Sequence, residues 1–214
     1  LSIRRQRQMC IRDSTTGIEP DKAGAGRLLQ KKSFTTLEEA VNFYAEKRDI
    51  AANPGQWFYY NQMGPEIAGR VLEVATKKKF DRLIQEKLLR PLNMRSTSFS
   101  NFSDAISPFN GSKTAAADIM NFLAMLLQKG SFMGRQVLTE ASINEFTRLQ
   151  ATAAINKFTP PLYEGSNYSL GCWVEQKNGS RISAADAGGC FAWVDFCKGY
   201  AAVWVSKTER SSLP

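Results

Sequence analysis

The chain has 214 residues, of which 43% are hydrophobic and 22% charged, and its formal net charge is +8. This balance is typical of a folded globular chain, and no apolar run reaches the roughly 18 residues that span a bilayer. The sequence contains no histidine, which excludes a Ser-His-Asp triad, a Cys-His pair and a histidine-ligated zinc site within these residues.

An arginine-rich segment near the N-terminus supplies part of the positive charge. Residues 4–13 read RRQRQMCIRD and match, in order, one reading frame of a transposase adapter used to prepare sequencing libraries. The two adapter bases that follow begin a serine codon, as at Ser14. We therefore interpret residues 1–14 as an artefactual adapter-derived segment and residues 15–214 as a partial domain. Without this arm the sequence predicts no nucleic-acid partner; a nucleic-acid-binding protein is the alternative if the arm is native.

Helical patterns occupy the first two thirds of the chain. Thr36 and Glu39 form a capping box before a helix that ends at the turn 53–55. Pro65 suits the first position of a second helix. The apolar stripes predicted for these two helices are Leu37, Ala40, Val41 and Tyr44 in the first, and Ile67, Val71, Val74 and Ala75 in the second.

Three more helices are predicted downstream. A lysine run at 77–79 separates the second helix from a third, which Pro91 stops. A fourth helix begins with Thr114 as its cap and ends at Gly130 in a left-handed conformation, and a shorter helix covers about residues 139–149. The predicted core positions of the third and fourth helices are Phe80, Leu83, Ile84, Leu88, Ile119, Phe122, Leu123 and Leu126.

The pattern changes to strands after Pro161. Alternation predicts one strand over 168–174, a hairpin turn at Asn178-Gly179, and strands at 181–183, 191–195 and 200–206. Helices followed by consecutive antiparallel strands predict an α+β fold. The four cysteines form no C-x-x-C pair. Cys190 and Cys197 are either a pair across a hairpin or, as we favour, buried free thiols.

Several segments, in order, resemble the serine β-lactamase-like and D,D-peptidase-like hydrolase family. PGQWFYYNQMG from Pro54 resembles the stretch with the family's Tyr-x-Asn motif. The other matching segments are TTGI from Thr15, RPLNMRSTSF from Arg90, KTAAAD from Lys113, YSLG from Tyr168 and WVD from Trp193. The resemblance implies the β-lactamase/D,D-peptidase-like fold, incomplete at its N-terminus.

The family's second motif can be placed in two registers. Without gaps, Tyr60 takes the tyrosine position, which assists proton transfer, and Gln62 takes the asparagine position, which orients a substrate amide. The other register pairs Tyr59 with Asn61 and requires a one-residue deletion. A structural interpretation, a core aromatic cluster at 58–60, is the alternative to both. We predict Tyr60 and Gln62 as catalytic residues and Asn61 as a substrate-binding residue.

The third motif, Lys/His-x-Gly in the family, falls on Ala184-Ala185-Asp186, where no cation is present. Ser183 would offer a hydroxyl instead, and Gly188 and Gly189 would let the strand approach a ligand. We predict these three as substrate-binding residues; a simple turn at 186–189 is the alternative.

The resemblance implies an acyl-enzyme serine hydrolase (esterase, peptidase or β-lactamase) that acts on a small ester or amide. It implies no metal and no cofactor, and the cell envelope or periplasm as the location. The family's nucleophile, Ser-x-x-Lys, lies upstream of the stretch matched here, so we expect this chain to be an inactive C-terminal fragment. The alternative is a non-catalytic binding or regulatory relative.

Overall fold

The computed structural model describes residues 10–18, 34–99, 106–109, 112–149, 155–175, 180–185 and 189–206. The chain divides into two units. The first unit comprises Leu1–Leu83, Ser98–Lys113 and Ala151–Glu164, and the second comprises Ile84–Thr97, Thr114–Gln150 and Gly165–Pro214. The predictions for Asn178-Gly179, Asp186 and Gly188 lie outside the described residues.

Helices come first in the chain and antiparallel strands follow, so the predicted α+β order is confirmed. The helices are α1 (Leu37–Lys47), α2 (Met63–Thr76), α3 (Phe80–Ile84), α4 (Ala116–Leu127) and α5 (Glu140–Thr147), with a π-helical turn at Gln85–Leu89 and a 3₁₀ turn at Pro161–Tyr163. The strands are β1 (Trp57–Tyr59), β2 (Ser131–Phe132), β3 (Arg135–Gln136), β4 (Ile155–Phe158), β5 (Asn167–Tyr168), β6 (Trp173–Val174), β7 (Arg181–Ala185), β8 (Cys190–Asp195) and β9 (Tyr200–Val205).

Helix α1 of the first unit begins as the capping box predicts. The Thr36 hydroxyl accepts a hydrogen bond from the Glu39 backbone N–H at 3.1 Å, and the Glu39 carboxylate accepts one from the Thr35 N–H at 3.0 Å. The Glu39 N–H, one of the orphan donors at the helix start, is thereby satisfied, while the Glu39 carboxylate binds the residue before the cap rather than the cap itself. Three residues of the predicted stripe are buried: Leu37, Ala40 and Tyr44.

The apolar stripe predicted for α2 is wrong. The helix begins at Met63 rather than Pro65, and Val71 and Val74 are 55% and 51% exposed. The face that is buried instead carries Met63, Gly64, Glu66, Gly69 and Glu73. Burying two carboxyl groups is tolerated because each receives hydrogen bonds, and glycine lets the helix approach its neighbours closely.

Strand β1 has a parallel partner that the periodicity did not indicate. It pairs with β4, with Trp57 opposite Ile155 and Tyr59 opposite Phe158. On its other side, the Tyr59 N–H donates to the Ser14 carbonyl oxygen at 3.0 Å. The end of β1 is therefore held from two directions.

In the second unit, α4 begins one residue later than its predicted cap. Ala115 occupies the cap position without a side-chain hydrogen bond, and the Thr114 hydroxyl instead lies 2.7 Å from the Thr97 hydroxyl. The Thr97 hydroxyl also donates to the Asp118 carboxylate at 2.7 Å. Gly130 has φ +92°, as the predicted left-handed C-terminus requires.

The second unit contains a five-stranded antiparallel sheet in the order β5-β6-β7-β8-β9. The single strand predicted over 168–174 is wrong, because β5 and β6 are two short strands paired through a tight turn. Gly171 in that turn has φ +97°, which a side chain would strain. Val174, Ile182 and Val194 face each other across three strands and are almost fully buried.

The four cysteines are free thiols. The free state predicted for Cys190 and Cys197 is therefore confirmed, but their predicted burial is wrong, since Cys190 is half-buried and Cys197 is exposed. Among the helices that the structure describes, none has the length and apolar character needed to cross a membrane.

Candidate active site

The second-motif segment follows β1 in the first unit. The Gly55 N–H donates to the Thr15 carbonyl oxygen at 2.8 Å, and the Tyr60 N–H donates to the Phe158 carbonyl oxygen at 3.1 Å. Phe58 is buried between the half-buried side chains of its strand neighbours. These bonds place Tyr60 where β1 ends and leave its side chain half-buried.

The Tyr60 ring packs against the Phe109 ring, with 5.3 Å between ring centroids and 54° between their planes. Tyr59, the tyrosine of the other register, instead stacks on Phe158 at 5.4 Å. The two tyrosines therefore lie against different partners, and both belong to the first unit.

The Asn61 side chain is bonded to the local backbone. Its Nδ2 donates to the Tyr59 carbonyl oxygen at 2.7 Å, and its Oδ1 accepts from the Met63 N–H at 2.8 Å. The second bond satisfies one of the donors exposed at the start of α2, from the residue before the N-cap, Gln62.

Gln62 points its amide at a buried polar group. Its Nε2 donates to the Tyr44 hydroxyl oxygen at 3.2 Å, and the Tyr44 hydroxyl donates to Glu66. The Ser107 hydroxyl donates to the other carboxyl oxygen of Glu66 at 2.7 Å. Glu66, 6% exposed, therefore receives two hydrogen bonds directly below the motif.

Burial governs the electrostatics of this cluster. It raises the pKa of Glu66, and the hydrogen bonds from Tyr44 and Ser107 oppose that shift. Burial is also the largest cause that raises the pKa of Tyr44 above its ordinary value, and the negative charge of Glu66 adds to it. Tyr44 is thus held as a neutral phenol, able to donate to Glu66 while it accepts from Gln62.

The residues predicted for the third motif belong to the second unit. Ser183, 2% exposed, lies on β7 opposite Trp173 on one side and Trp193 on the other. In the part of the chain that the structure describes, its hydroxyl has no hydrogen-bond partner. Gly189 has φ +89°, and its carbonyl oxygen accepts from the Ser206 N–H at 2.9 Å.

Among the described residues, no cluster of three or more Cys, Asp or Glu side chains could hold a metal ion. Among the same residues, the polar groups at and next to the motif are the phenols of Tyr44 and Tyr60, the amides of Asn61 and Gln62, the Ser107 hydroxyl and the buried Glu66 carboxyl group.

The model of the beta-lactamase family matches residues 15–213. The chain belongs to the beta-lactamase family. This membership confirms the resemblance drawn from the motifs and makes the chain part of a β-lactamase-fold serine hydrolase family, whereas no curated protein matches it.

Solved structures of beta-lactamase relatives share the fold. A candidate beta-lactamase from Bacteroides dorei superposes with a TM-score of 0.80 at 23% identity, covering 93% of this chain and 63% of its own. EstCE1, a hydrolase with promiscuous acyltransferase activity, superposes with a TM-score of 0.75 at 17% identity, and the match covers 95% of this chain and 67% of EstCE1. The octameric penicillin-binding protein homologue from Pyrococcus abyssi superposes with a TM-score of 0.68 at 18% identity, and the match covers 94% of this chain and 52% of the homologue. The chain thus spans about half to two thirds of these relatives' lengths.

Sequence reasoning missed three residues of the candidate site. Tyr44 was assigned to an apolar stripe, while Glu66 and Ser107 were not singled out. Glu66 lies four residues after Gln62, a spacing that places both on one side of a helix. Ser107 is 41 residues away along the chain from Glu66, and no local pattern indicates that contact.

Proposed function

We propose that this chain is the C-terminal part of a serine hydrolase that works through an acyl-enzyme, with residues 1–14 adapter-derived and the nucleophile encoded upstream of Thr15. The observation that carries the proposal is the arrangement at the end of β1. There Tyr60 follows the strand, and Gln62 is oriented by Tyr44 at 3.2 Å. A phenol beside an oriented amide supplies proton transfer and substrate alignment, two needs of acyl transfer.

In the proposed reaction, the missing serine oxygen attacks the substrate carbonyl carbon, and the bond to the leaving oxygen or nitrogen breaks. The serine hydroxyl proton passes through the Tyr60 phenol to the leaving group, and water then cleaves the acyl–serine ester to a carboxylic acid and restores the serine hydroxyl. The Gln62 Nε2 donates a hydrogen bond to the Tyr44 hydroxyl oxygen. In the proposed reaction this bond leaves the Gln62 side-chain carbonyl oxygen to accept from a substrate N–H. Glutamine places that oxygen one methylene further out than asparagine does.

The substrate proposed is a small ester or amide without a carboxylate that needs a cation. Ala184-Ala185-Asp186 supplies none. Within the second unit, Ser183 and Gly189 are proposed as ligand-binding residues, because a ligand would give the Ser183 hydroxyl a hydrogen-bond partner. An unpaired buried hydroxyl costs about 1–3 kcal/mol, so a ligand that pairs it gains affinity.

The test compares the 214-residue chain with a longer chain that carries the native upstream sequence in place of residues 1–14. With p-nitrophenyl butyrate, the longer chain should show an acylation burst equal to its concentration, and the 214-residue chain should show none. In the longer chain, Tyr60→Phe should slow acylation about 10²–10⁴-fold. The control Tyr200→Phe, at an exposed position, should leave it unchanged.

Two results would contradict the proposal. One is stable labelling of any serine in the 214-residue chain by a fluorescent penicillin or a reactive ester. The other is an upstream sequence without Ser-x-x-Lys, which would favour a non-catalytic binding protein of the same family.

A further inference from the structure

Gln62 is connected to a buried carboxyl group through one intermediate side chain. The amide nitrogen donates to the Tyr44 hydroxyl oxygen at 3.2 Å, and the Tyr44 hydrogen is directed at Glu66. A hydroxyl has one donor and two acceptor sites, so the bond to Glu66 leaves lone pairs for Gln62. The bond to Glu66 therefore sets the direction of the Gln62 bond.

Tyr60 is connected to the same carboxyl group by a separate route. The Ser107 hydroxyl donates to the second oxygen of Glu66 at 2.7 Å. Its oxygen accepts from the Phe109 N–H at 3.2 Å, and the Phe109 ring packs on Tyr60 at 5.3 Å. Ser107 and Glu66 are both buried, so water does not compete readily for these bonds.

We infer that Glu66 is a positioning residue for the candidate active site, which holds Gln62 through Tyr44 and Tyr60 through Ser107 and Phe109. Only a group with two acceptor oxygens receives both hydroxyl donors, because the amide of glutamine would present N–H to one of them. The inference rests on the proposed function in one respect, since it takes Tyr60 and Gln62 as the motif pair.

Two-dimensional NMR of the 214-residue chain at pH 7 tests the two routes separately. The readouts are the side-chain amide of Gln62 and the ring protons of Tyr60. Tyr44→Phe should shift and broaden the Gln62 amide and leave the Tyr60 ring unchanged. Ser107→Ala should shift the Tyr60 ring and leave the Gln62 amide unchanged.

Glu66→Gln should disturb both readouts, since it reverses the polarity of one hydroxyl contact. The matched control is Glu46→Gln, the same exchange at an exposed position of α1, which should disturb neither. The inference is overturned if either readout stays at its wild-type position in Glu66→Gln. If that variant does not fold, the two single-route variants decide, and a shift of both readouts in each of them refutes separate routes.

Activity gives a second arm in the longer chain described above. There, Glu66→Gln should lower kcat on the order of tenfold to a hundredfold with little change in KM, because it displaces groups that act on the reacting atoms. The pH profile of kcat should also change shape, because the variant removes the titrating carboxyl group that contacts Tyr44. Arg48 is the other charged group that acts on Tyr44, and it is present in both proteins. If the longer chain is inactive, the proposed function fails, while the NMR result still decides the positioning.

Discussion

Replacing Asn61 separates the two registers of the second motif, because the structure gives this side chain a structural task. Asn61→Ala removes the bond to the Met63 N–H at the start of α2, worth about 1 kcal/mol. It also removes the bond to the Tyr59 carbonyl oxygen, worth about 0.5–1.5 kcal/mol. The free energy of unfolding should therefore fall by about 1.5–2.5 kcal/mol, which lowers Tm by about 3–10 °C in a chain of this size.

Urea unfolding followed by far-UV circular dichroism measures this loss. Asn61→Asp should cost less, because a carboxylate still accepts from the Met63 N–H and suits a helix N-terminus. Asn42→Ala, at an exposed position of α1, is the control and should stay within about 0.5 kcal/mol. If Asn61→Ala keeps full stability but abolishes acylation in the longer chain, the Tyr59–Asn61 register is the functional one and the reasoning fails.

Three further outcomes are expected. Gly69→Ala should destabilise the chain by about 1–3 kcal/mol in urea unfolding, because the added Cβ would lie 2.6 Å from Pro108 Cγ. This contact should outweigh the helix preference of alanine, so a gain in stability would refute the close contact. Burial raises the folded-state pKa of Glu66 above 4.5, so the contribution of this group to stability is full below pH 4.5 and is lost as the pH rises through the folded pKa. Glu66→Gln should therefore flatten the fall in unfolding free energy over that pH range. Curves of unfolding free energy against pH that run parallel in the wild type and the variant would contradict the pKa shift. Trp204, 65% exposed on β9, should promote self-association measured by sedimentation; Trp204→Lys should reduce it and Met133→Lys, at an exposed turn, should not.

Turn and cap chemistry was predictable from sequence wherever one residue dominates the local conformation. Thr36 caps α1 and Thr139 caps α5 through their own hydroxyls. Gly130 takes the positive φ that a helix end requires. Such features depend on two to four neighbouring residues, so a local pattern contains the necessary information.

Features that depend on distant partners were not predictable in the same way. The alternation at 168–174 is compatible with one strand, but the Ser169 hydroxyl lies 2.6 Å from the Arg148 carbonyl oxygen, and Gly171 turns the chain back. The parallel pairing of β1 with β4 joins segments about one hundred residues apart. Thr114 lost its predicted cap role because Thr97 supplied a competing partner for its hydroxyl.

Helix α2 shows where the candidate site departs most from a simple hydrophobic pattern. A surface helix ordinarily buries its apolar stripe, yet here Val71 and Val74 are exposed and Glu66 and Glu73 are buried. Glu73 accepts from the Phe80 N–H at 3.0 Å and so ties the helix to the start of α3.

Glu66 accepts from two hydroxyl groups and so ties the same helix to the second motif. Burying a carboxyl group costs free energy unless donors surround it, and such departures from local consistency concentrate at functional sites. The buried Glu66 on α2 therefore supports the proposed site on physical grounds that do not depend on the family's Tyr-x-Asn pattern. Both lines of reasoning lead to the residues between Tyr60 and Glu66.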